Sequence, residues 1–258
     1  MLDDPLGLAG HRRIGLEAVL DRAALLERTD RKYVVRRETA RELVGLLAGS
    51  HHVLAVNGRT ATTYRTRYLD TEDLLCVREH IQRRRRRFKA RSRLYVEDGL
   101  CRFEVKTKDR RGGTVKVQST VEAERFGAFG APEAAFLADA LDDAAVPHPG
   151  ALQASVDMTY RRATLVDLDG RSRLTIDSQL VATGRSGGRV RLDAGHVLVE
   201  TKSPSSGSLA DAVLRELGQR PRSFSKYAAT AALLDASIPA NDFRRLVGVA
   251  LHLEGPSA

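Results

Sequence analysis

The stretch RFKARSRLYVEDGLCRFEVKTK, residues 87–108, decides how this chain is read. It alternates residue by residue on both sides of the turn Glu97-Asp98-Gly99. Successive side chains of a strand point to opposite faces, so Arg87, Lys89, Arg91 and Arg93 share one face and Phe88, Ala90, Ser92 and Leu94 the other. On the next strand Glu104, Lys106 and Lys108 oppose Phe103, Val105 and Thr107. The second half of the chain repeats the plan. Arg171-Ser172-Arg173-Leu174 echoes Arg91-Ser92-Arg93-Leu94, and Glu200-Thr201-Lys202 answers Glu104-Val105-Lys106.

Two arrangements fit this pattern. An outward polar face on a half-exposed sheet would carry mixed, salt-bridging charges. These strands instead hold nearly pure cations with at most one carboxylate each, and like charges on neighbouring strands repel unless something anionic lies between them. Turned into a barrel, the faces would line a cationic lumen containing Glu104 and Glu200. Arginine forks and lysine point charges suit a chain of phosphates. The carboxylates would suit a divalent metal, Mg²⁺ or Mn²⁺, bridging phosphate oxygens.

Outward from this stretch, turn signals separate many short strand-like runs: 32–35, 52–56, 61–69, 152–160, 163–168, 171–181, 189–193 and 196–202. Asn57-Gly58 is a hairpin-turn signal between two of them. Helical spacing appears over 39–47, 73–82, 122–145, 210–217 and 224–236, with Asp70-Thr71 as a cap signal for the second. With no strand–helix–strand alternation, the expected class is α+β: an antiparallel barrel of about eight strands with flanking helices. The expected layout is a mobile segment over 1–27, one domain over 28–240 and a terminal helix or tail over 241–258.

Composition narrows the function. The chain of 258 residues has 42 Lys+Arg against 33 Asp+Glu, a formal charge of +9 that points to an anionic partner. Only seven of those cations are lysines, which marks their positions as places where a compact ammonium works and a planar fork does not. Aromatics are 5% with no Trp, a poor supply of base-stacking platforms, so no specific nucleic-acid partner is expected. The run Arg83 to Arg87 overlaps the strand expected over 84–96, where alternation sets Arg83, Arg85 and Arg87 on one face and Arg84 and Arg86 on the other, and it reads as a charge collar that steers polyanions. Cys76 and Cys101 form no CxxC pair and the histidines show no HxxxH spacing, which argues against a zinc site. No apolar run is long enough for a transmembrane helix, and the acidic start does not resemble a secretory signal, so a cytoplasmic location is expected.

Several short motifs then carry a family resemblance. Arg28-Thr29-Asp30-Arg31-Lys32-Tyr33, Tyr68-Leu69-Asp70-Thr71, Arg91-Ser92-Arg93-Leu94-Tyr95, Phe103-Glu104-Val105-Lys106, Tyr160-Arg161-Arg162, Arg173-Leu174-Thr175-Ile176-Asp177, Val199-Glu200-Thr201-Lys202 and Phe224-Ser225-Lys226-Tyr227 occur in this order. They resemble the motifs of VTC domains, the polyphosphate polymerase domains of the vacuolar transporter chaperone group, within the triphosphate tunnel metalloenzyme (CYTH-like) superfamily.

The resemblance implies an antiparallel tunnel barrel that binds a nucleoside triphosphate, with ATP expected, and grows inorganic polyphosphate from its γ-phosphoryl group. Carried over by position, the phosphate ligands would be Lys32, Arg91, Arg93, Lys106, Arg162, Arg173 and Lys226. Lys89 and Lys202 share those strand faces, and Tyr160 would touch phosphate or pack. Glu200 would hold the metal with Glu104 as a helper. Two positions depart from the family pattern: Asp30 stands where Glu is usual, and Ser223 where active polymerases carry Lys, with Arg222 beside it. The same cage would serve a tripolyphosphatase or nucleoside triphosphatase, or a non-catalytic polyanion-binding module partnered with a membrane protein.

Overall fold

The alternation of residues 87–108 becomes two antiparallel strands, and the rest of the chain is built in the same way. The computed structural model describes residues 4–22, 29–108, 113–239, 241–243, 246 and 248–254. Its strands are β1 (Arg13–Ile14), β2 (Thr29–Arg36), β3 (His51–Leu54), β4 (Ala61–Asp70), β5 (Phe88–Tyr95), β6 (Leu100–Lys108), β7 (Thr114–Val121), β8 (Gln153–Asp167), β9 (Arg173–Gly184), β10 (Arg189–Leu192), β11 (His196–Ser203) and β12 (Leu251–Glu254). Its helices are α1 (Leu16–Arg22), α2 (Arg37–Leu46), α3 (Leu75–Ile81), α4 (Ala131–Asp143), α5 (Leu209–Glu216) and α6 (Lys226–Leu234). The strand path runs β12-β10-β9-β8-β4-β5-β6-β7, with β11 joining β2 to β9 and β3 joining β1 to β8. The described registers are antiparallel except for the short β1–β3 pair. This is the expected α+β class, an antiparallel sheet with flanking helices. Among the described residues no helix is long and apolar enough to cross a membrane.

The chain divides into two compact units. The first comprises Met1–Thr62, Arg161–Gln179 and Leu192–Ser223. In it β11 lies between β2 and β9. One face of this ladder presents Tyr33, Val35, Leu174, Ile176, Val197 and Val199 to Leu43, Val44 and Leu47 of the α2 region and to Val213 and Leu214 of α5. Each such side chain taken fully from water contributes about 1.5–3 kcal/mol. The Ser208 hydroxyl caps α5 by accepting from the Asp211 N–H, and the Asp211 carboxylate accepts in return from the Ser208 N–H. Asp211 also accepts from Tyr33 Oη (2.8 Å) and Thr201 Oγ1 (2.6 Å), which ties α5 to the sheet. Leu6 and Leu8, within the segment expected to be a mobile start, are buried in this same core. Residues 1–3 and 23–27 of that segment lie outside the described residues, as does Arg28.

The second unit comprises Thr63–Tyr160, Leu180–Arg191 and Phe224–Ala258. It contains the meander β4-β5-β6-β7. Phe88, Ala90, Phe103 and Val105 form the apolar face, where Phe103 meets Phe129 and Phe136 with ring centroids 6.2 and 6.0 Å apart. Asp70 is fully buried and accepts from the N–H groups of Thr71, Cys76 and Val77, so the Asp70-Thr71 signal does start α3.

Four sequence expectations change. Asn57-Gly58 makes its turn with both residues at positive φ, but only the bridge Val56–Arg59 follows, and β3 pairs with β1 and β8. The runs 152–160 and 163–168 are one strand, β8. The arginine run is not strand: β5 begins at Phe88, and Arg83 to Arg87 form the connection out of α3. Where a terminal helix or tail was expected, Asn241–Phe243 is a 3-10 turn and Leu251–Glu254 is strand β12.

Candidate functional site

Residues directly opposite in an antiparallel ladder share a face, so the registers place the charges. In the second unit Lys89 is opposite Lys106, and Lys106 is opposite Lys116, a row of three lysines across β5, β6 and β7. The next row reads Tyr68, Arg91, Glu104 and Gln118, and the one beyond it Thr66, Arg93, Arg102 and Thr120. One carboxylate thus stands among six cations. Glu104 is only 2% exposed. Its Oε2 accepts from Arg91 Nε at 2.5 Å and lies 3.6 Å from Arg93 Nη1, while Lys116 Nζ contacts Oε1. Burial alone would raise its pKa, but Arg91, Arg93 and Lys116 outweigh burial and hold the carboxyl well below the usual range. The Lys116 ammonium is pushed down, because burial and the two arginines outweigh the attraction of Glu104.

Aromatic rings steady this face. Arg91 Nη1 donates to Tyr68 Oη (3.1 Å), and Arg93 Nη2 donates to Tyr160 Oη (3.2 Å). Tyr160 stacks on Tyr64 at 5.2 Å, and the Lys226 ammonium lies 4.5 Å from the Tyr160 ring centroid. Lys226 opens α6, whose N-cap Ser225 accepts from Lys89 Nζ at 2.8 Å. Tyr227 stacks on Tyr68 at 4.3 Å and donates to Asp70 Oδ2 at 2.7 Å. Of the expected site residues, Lys89, Arg91, Arg93, Glu104, Lys106, Tyr160 and Lys226 all lie in this unit. Sequence reasoning missed Lys116, because β7 went unread between the expected strand to 108 and the expected helix from 122. Its own alternation, Val115 and Val117 against Lys116 and Gln118, was the available signal.

The first unit carries the second copy of the motif, on the face of β2-β11-β9 opposite its core. Glu200 is opposite Lys32 and Thr175, and Lys202 is opposite Asp30 and Arg173. Lys202 Nζ donates to Glu200 Oε1 (2.6 Å) and lies 2.9 Å from Asp30 Oδ2, with Lys32 Nζ at 4.0 Å from Glu200. Arg162 grips Asp177 with two bonds of 2.6 and 2.7 Å. Arg222, beside the Ser223 departure, donates its N–H to the Lys32 carbonyl at 2.7 Å. Here the charges alternate in sign and pair, whereas the second unit has a cation excess.

The echo is real but its register differs. Both motif pairs are antiparallel neighbours, yet Glu104 faces Arg91 while Glu200 faces Thr175, a slip of four residues between the copies. An even slip keeps every side chain on its face and changes its partner. That difference sorts the two glutamates chemically. Glu104 already holds three cations, which a metal ion would have to displace. Glu200 and Asp30 instead converge on one ammonium, so their oxygens suit a small hard cation in its place. No group of three or more His, Cys, Asp or Glu able to hold a metal occurs among the described residues. Mg²⁺ commonly uses one or two carboxylates with phosphate oxygens and water, so the Asp30–Glu200 pair fits that demand.

Comparison with known proteins bears on the family and the fold. The VTC domain family matches residues 27–235. Among solved structures, the chain resembles a candidate adenylyl cyclase from Hippeastrum with a dominant triphosphatase activity: TM-score 0.52, 14% identity, covering 79% of this chain and 94% of that one. A candidate adenylate cyclase from Vibrio parahaemolyticus aligns with TM-score 0.43 and 12% identity over 78% of this chain and 95% of its own. A Pyrococcus horikoshii protein aligns with TM-score 0.42 and 12% identity over 74% and 90%. At these identities the likeness concerns the fold. No curated protein matches the chain.

Proposed function

This chain belongs to the VTC domain family, and we propose that it is a phosphotransferase acting on phosphate chains: it moves the γ-phosphoryl group of a nucleoside triphosphate, ATP in the first instance, onto growing inorganic polyphosphate. The observation that carries this reading is the Lys89–Lys106–Lys116 row beside Arg91 and Arg93. Directly opposed ammonium groups repel, and a bound polyanion turns that repulsion into attraction.

Phosphoryl transfer needs little covalent chemistry from the protein; positioning and charge neutralisation do most of it. Arg91 and Arg93 would grip phosphoryl oxygens with forks that Glu104, Tyr68 and Tyr160 hold in place. Lys89, Lys106, Lys116 and Lys226 add point charges that adapt to successive phosphates. Lys32, Arg162, Arg173 and Lys202 are the corresponding cations of the first unit. Glu200 and Asp30 would hold a divalent ion, Mg²⁺ or Mn²⁺, which when bound neutralises charge on phosphate oxygens.

The test is incubation with ATP and Mn²⁺ or Mg²⁺, with products resolved by chain length. Chain growth is the expected result. Phosphate release without chains supports hydrolysis, the second reading, which the triphosphatase activity of the Hippeastrum neighbour favours. Tight binding without turnover overturns the enzymatic reading in favour of a binding module. Glu200→Ala should abolish metal-dependent turnover and keep the fold; normal turnover in that variant removes the role given to Glu200. Lys106→Ala should weaken tripolyphosphate binding by about tenfold or more, the worth of a charged hydrogen bond.

A further inference from the structure

Away from the lysine row, the second unit has a depression of about 460 Å³ whose lining includes Arg78, Arg84, Arg85 and Arg86. Its shape follows from how α3 ends. The Arg83 N–H donates to the His80 carbonyl (3.2 Å) and the Arg84 N–H to the Glu79 carbonyl (2.9 Å), the paired bonds of a Schellman cap. Arg83 occupies the left-handed position at φ 56°, where glycine is usual. The cap folds the chain back, so Arg84, Arg85 and Arg86 share one depression with Arg78 of the helix.

Arg85 and Arg86 are exposed, and neither has a carboxylate or hydrogen-bond partner among the described residues. Among the described residues the Arg84 side chain donates to Gln82 Oε1 (3.0 Å), and that of Arg78 to the Asp73 carbonyl (2.6 Å). The only carboxylate in the lining, Glu79, is pushed up by burial against the pull of Arg84 and Arg87. The volume lies within the roughly 300–1,000 Å³ of small-ligand sites.

We propose that this depression is a second phosphate-chain subsite, which grips inorganic polyphosphate outside the lysine row. The inference rests on the function proposed above. Guanidinium forks match phosphate oxygens two at a time. The apolar lining is Leu75 and Pro147, with no aromatic ring on which a base would stack, so an inorganic chain fits better than RNA. Arg86 precedes Lys89 by three residues, no more than about 10 Å of backbone, so one long chain reaches both places. Two linked contacts bind a long polyanion far more tightly than either alone, while a triphosphate fills one.

The test compares binding of long-chain polyphosphate and of tripolyphosphate to the full chain and to the R84A/R85A/R86A variant, with circular dichroism as the check on folding. Long-chain affinity should fall by about tenfold or more in the variant, with tripolyphosphate affinity unchanged. Equal losses for both ligands, or none for either, overturn the subsite. So does a wild-type chain that binds single-stranded RNA more tightly than polyphosphate and loses that RNA binding in the variant. If the wild type binds neither phosphate ligand, the proposed function falls and the subsite falls with it. If it binds tripolyphosphate, loses it on Lys106→Ala and keeps long-chain affinity in the triple variant, the subsite alone is wrong.

Discussion

Replacing Glu104 by Gln keeps the side-chain shape and removes the negative charge that Arg91, Arg93 and Lys116 share. The cost can be built from its three contacts. Glu104 and Arg93 are 2% and 7% exposed at the side chain, so their 3.6 Å pair is a buried one. Arg91, at 2.5 Å, is 25% exposed. Lys116 is 37% exposed, and solvent reduces its share toward the surface value of about 1 kcal/mol or less. Breaking a buried pair by removing one partner costs about 3–5 kcal/mol, because the cations stay behind uncompensated. For a domain of this size that is a fall in Tm of about 6–20 °C. Tripolyphosphate should recover much of it. Ligand at a hundred times its Kd stabilises by about 2.7 kcal/mol, and the variant should gain more than wild type because the anion supplies the missing charge.

The pH dependence has a definite sign. The folded-state carboxyl of Glu104 lies below its ordinary value of about 4.3, so its contribution is complete above that value and fades as pH falls below it. The gap between wild type and Glu104→Gln should therefore close in acid. Thermal unfolding by circular dichroism, with and without tripolyphosphate, measures all three effects. A variant that melts within about 2 °C of wild type, or that gains no more from tripolyphosphate than wild type does, refutes the account of Glu104 as the counter-charge of an anion-binding face.

Arg83→Gly relieves a left-handed backbone position that costs a side-chain-bearing residue about 1 kcal/mol, so Tm should rise by about 2–4 °C; an unchanged or lower Tm would mean the arginine side chain offsets the strain. Asp211→Asn should cost about 1–3 kcal/mol in urea unfolding, since Asp211 gathers Tyr33, Thr201, Ser203 and Ser208 at the start of α5. Burial opposes ionisation of Asp211, but those four hydrogen bonds prevail and hold its carboxyl below the usual range. Its contribution should therefore be present at neutral pH and vanish as pH falls below about 4, a decline the Asn variant should lack.

The period-two alternation of 87–108 was enough to say which side chains share a face, and Lys89, Arg91 and Arg93 do share one with Glu104 and Lys106. Local chemistry was equally legible at Asp70-Thr71, because a helix cap is decided within a few residues, whereas the caps at Ser208 and Ser225 went unread. The motif order pointed to a phosphate-handling family, and 27–235 fall within it. The partners of those side chains were beyond the sequence. Lys116 joined the cluster only because β7 pairs with β6, a pairing that the alternation of Val115 and Val117 against Lys116 and Gln118 does not specify by itself. The arginine run read as alternating, yet the cap at Arg83 turns it into a loop before any ladder begins. Most telling are the two Glu-x-Lys copies, nearly the same in sequence, with Glu104 locked between arginines and lysine and Glu200 set beside Asp30 and two lysines. Alternation belongs to a single strand and survives any even slip, whereas register belongs to two strands at once and is fixed only when the cores of both units pack.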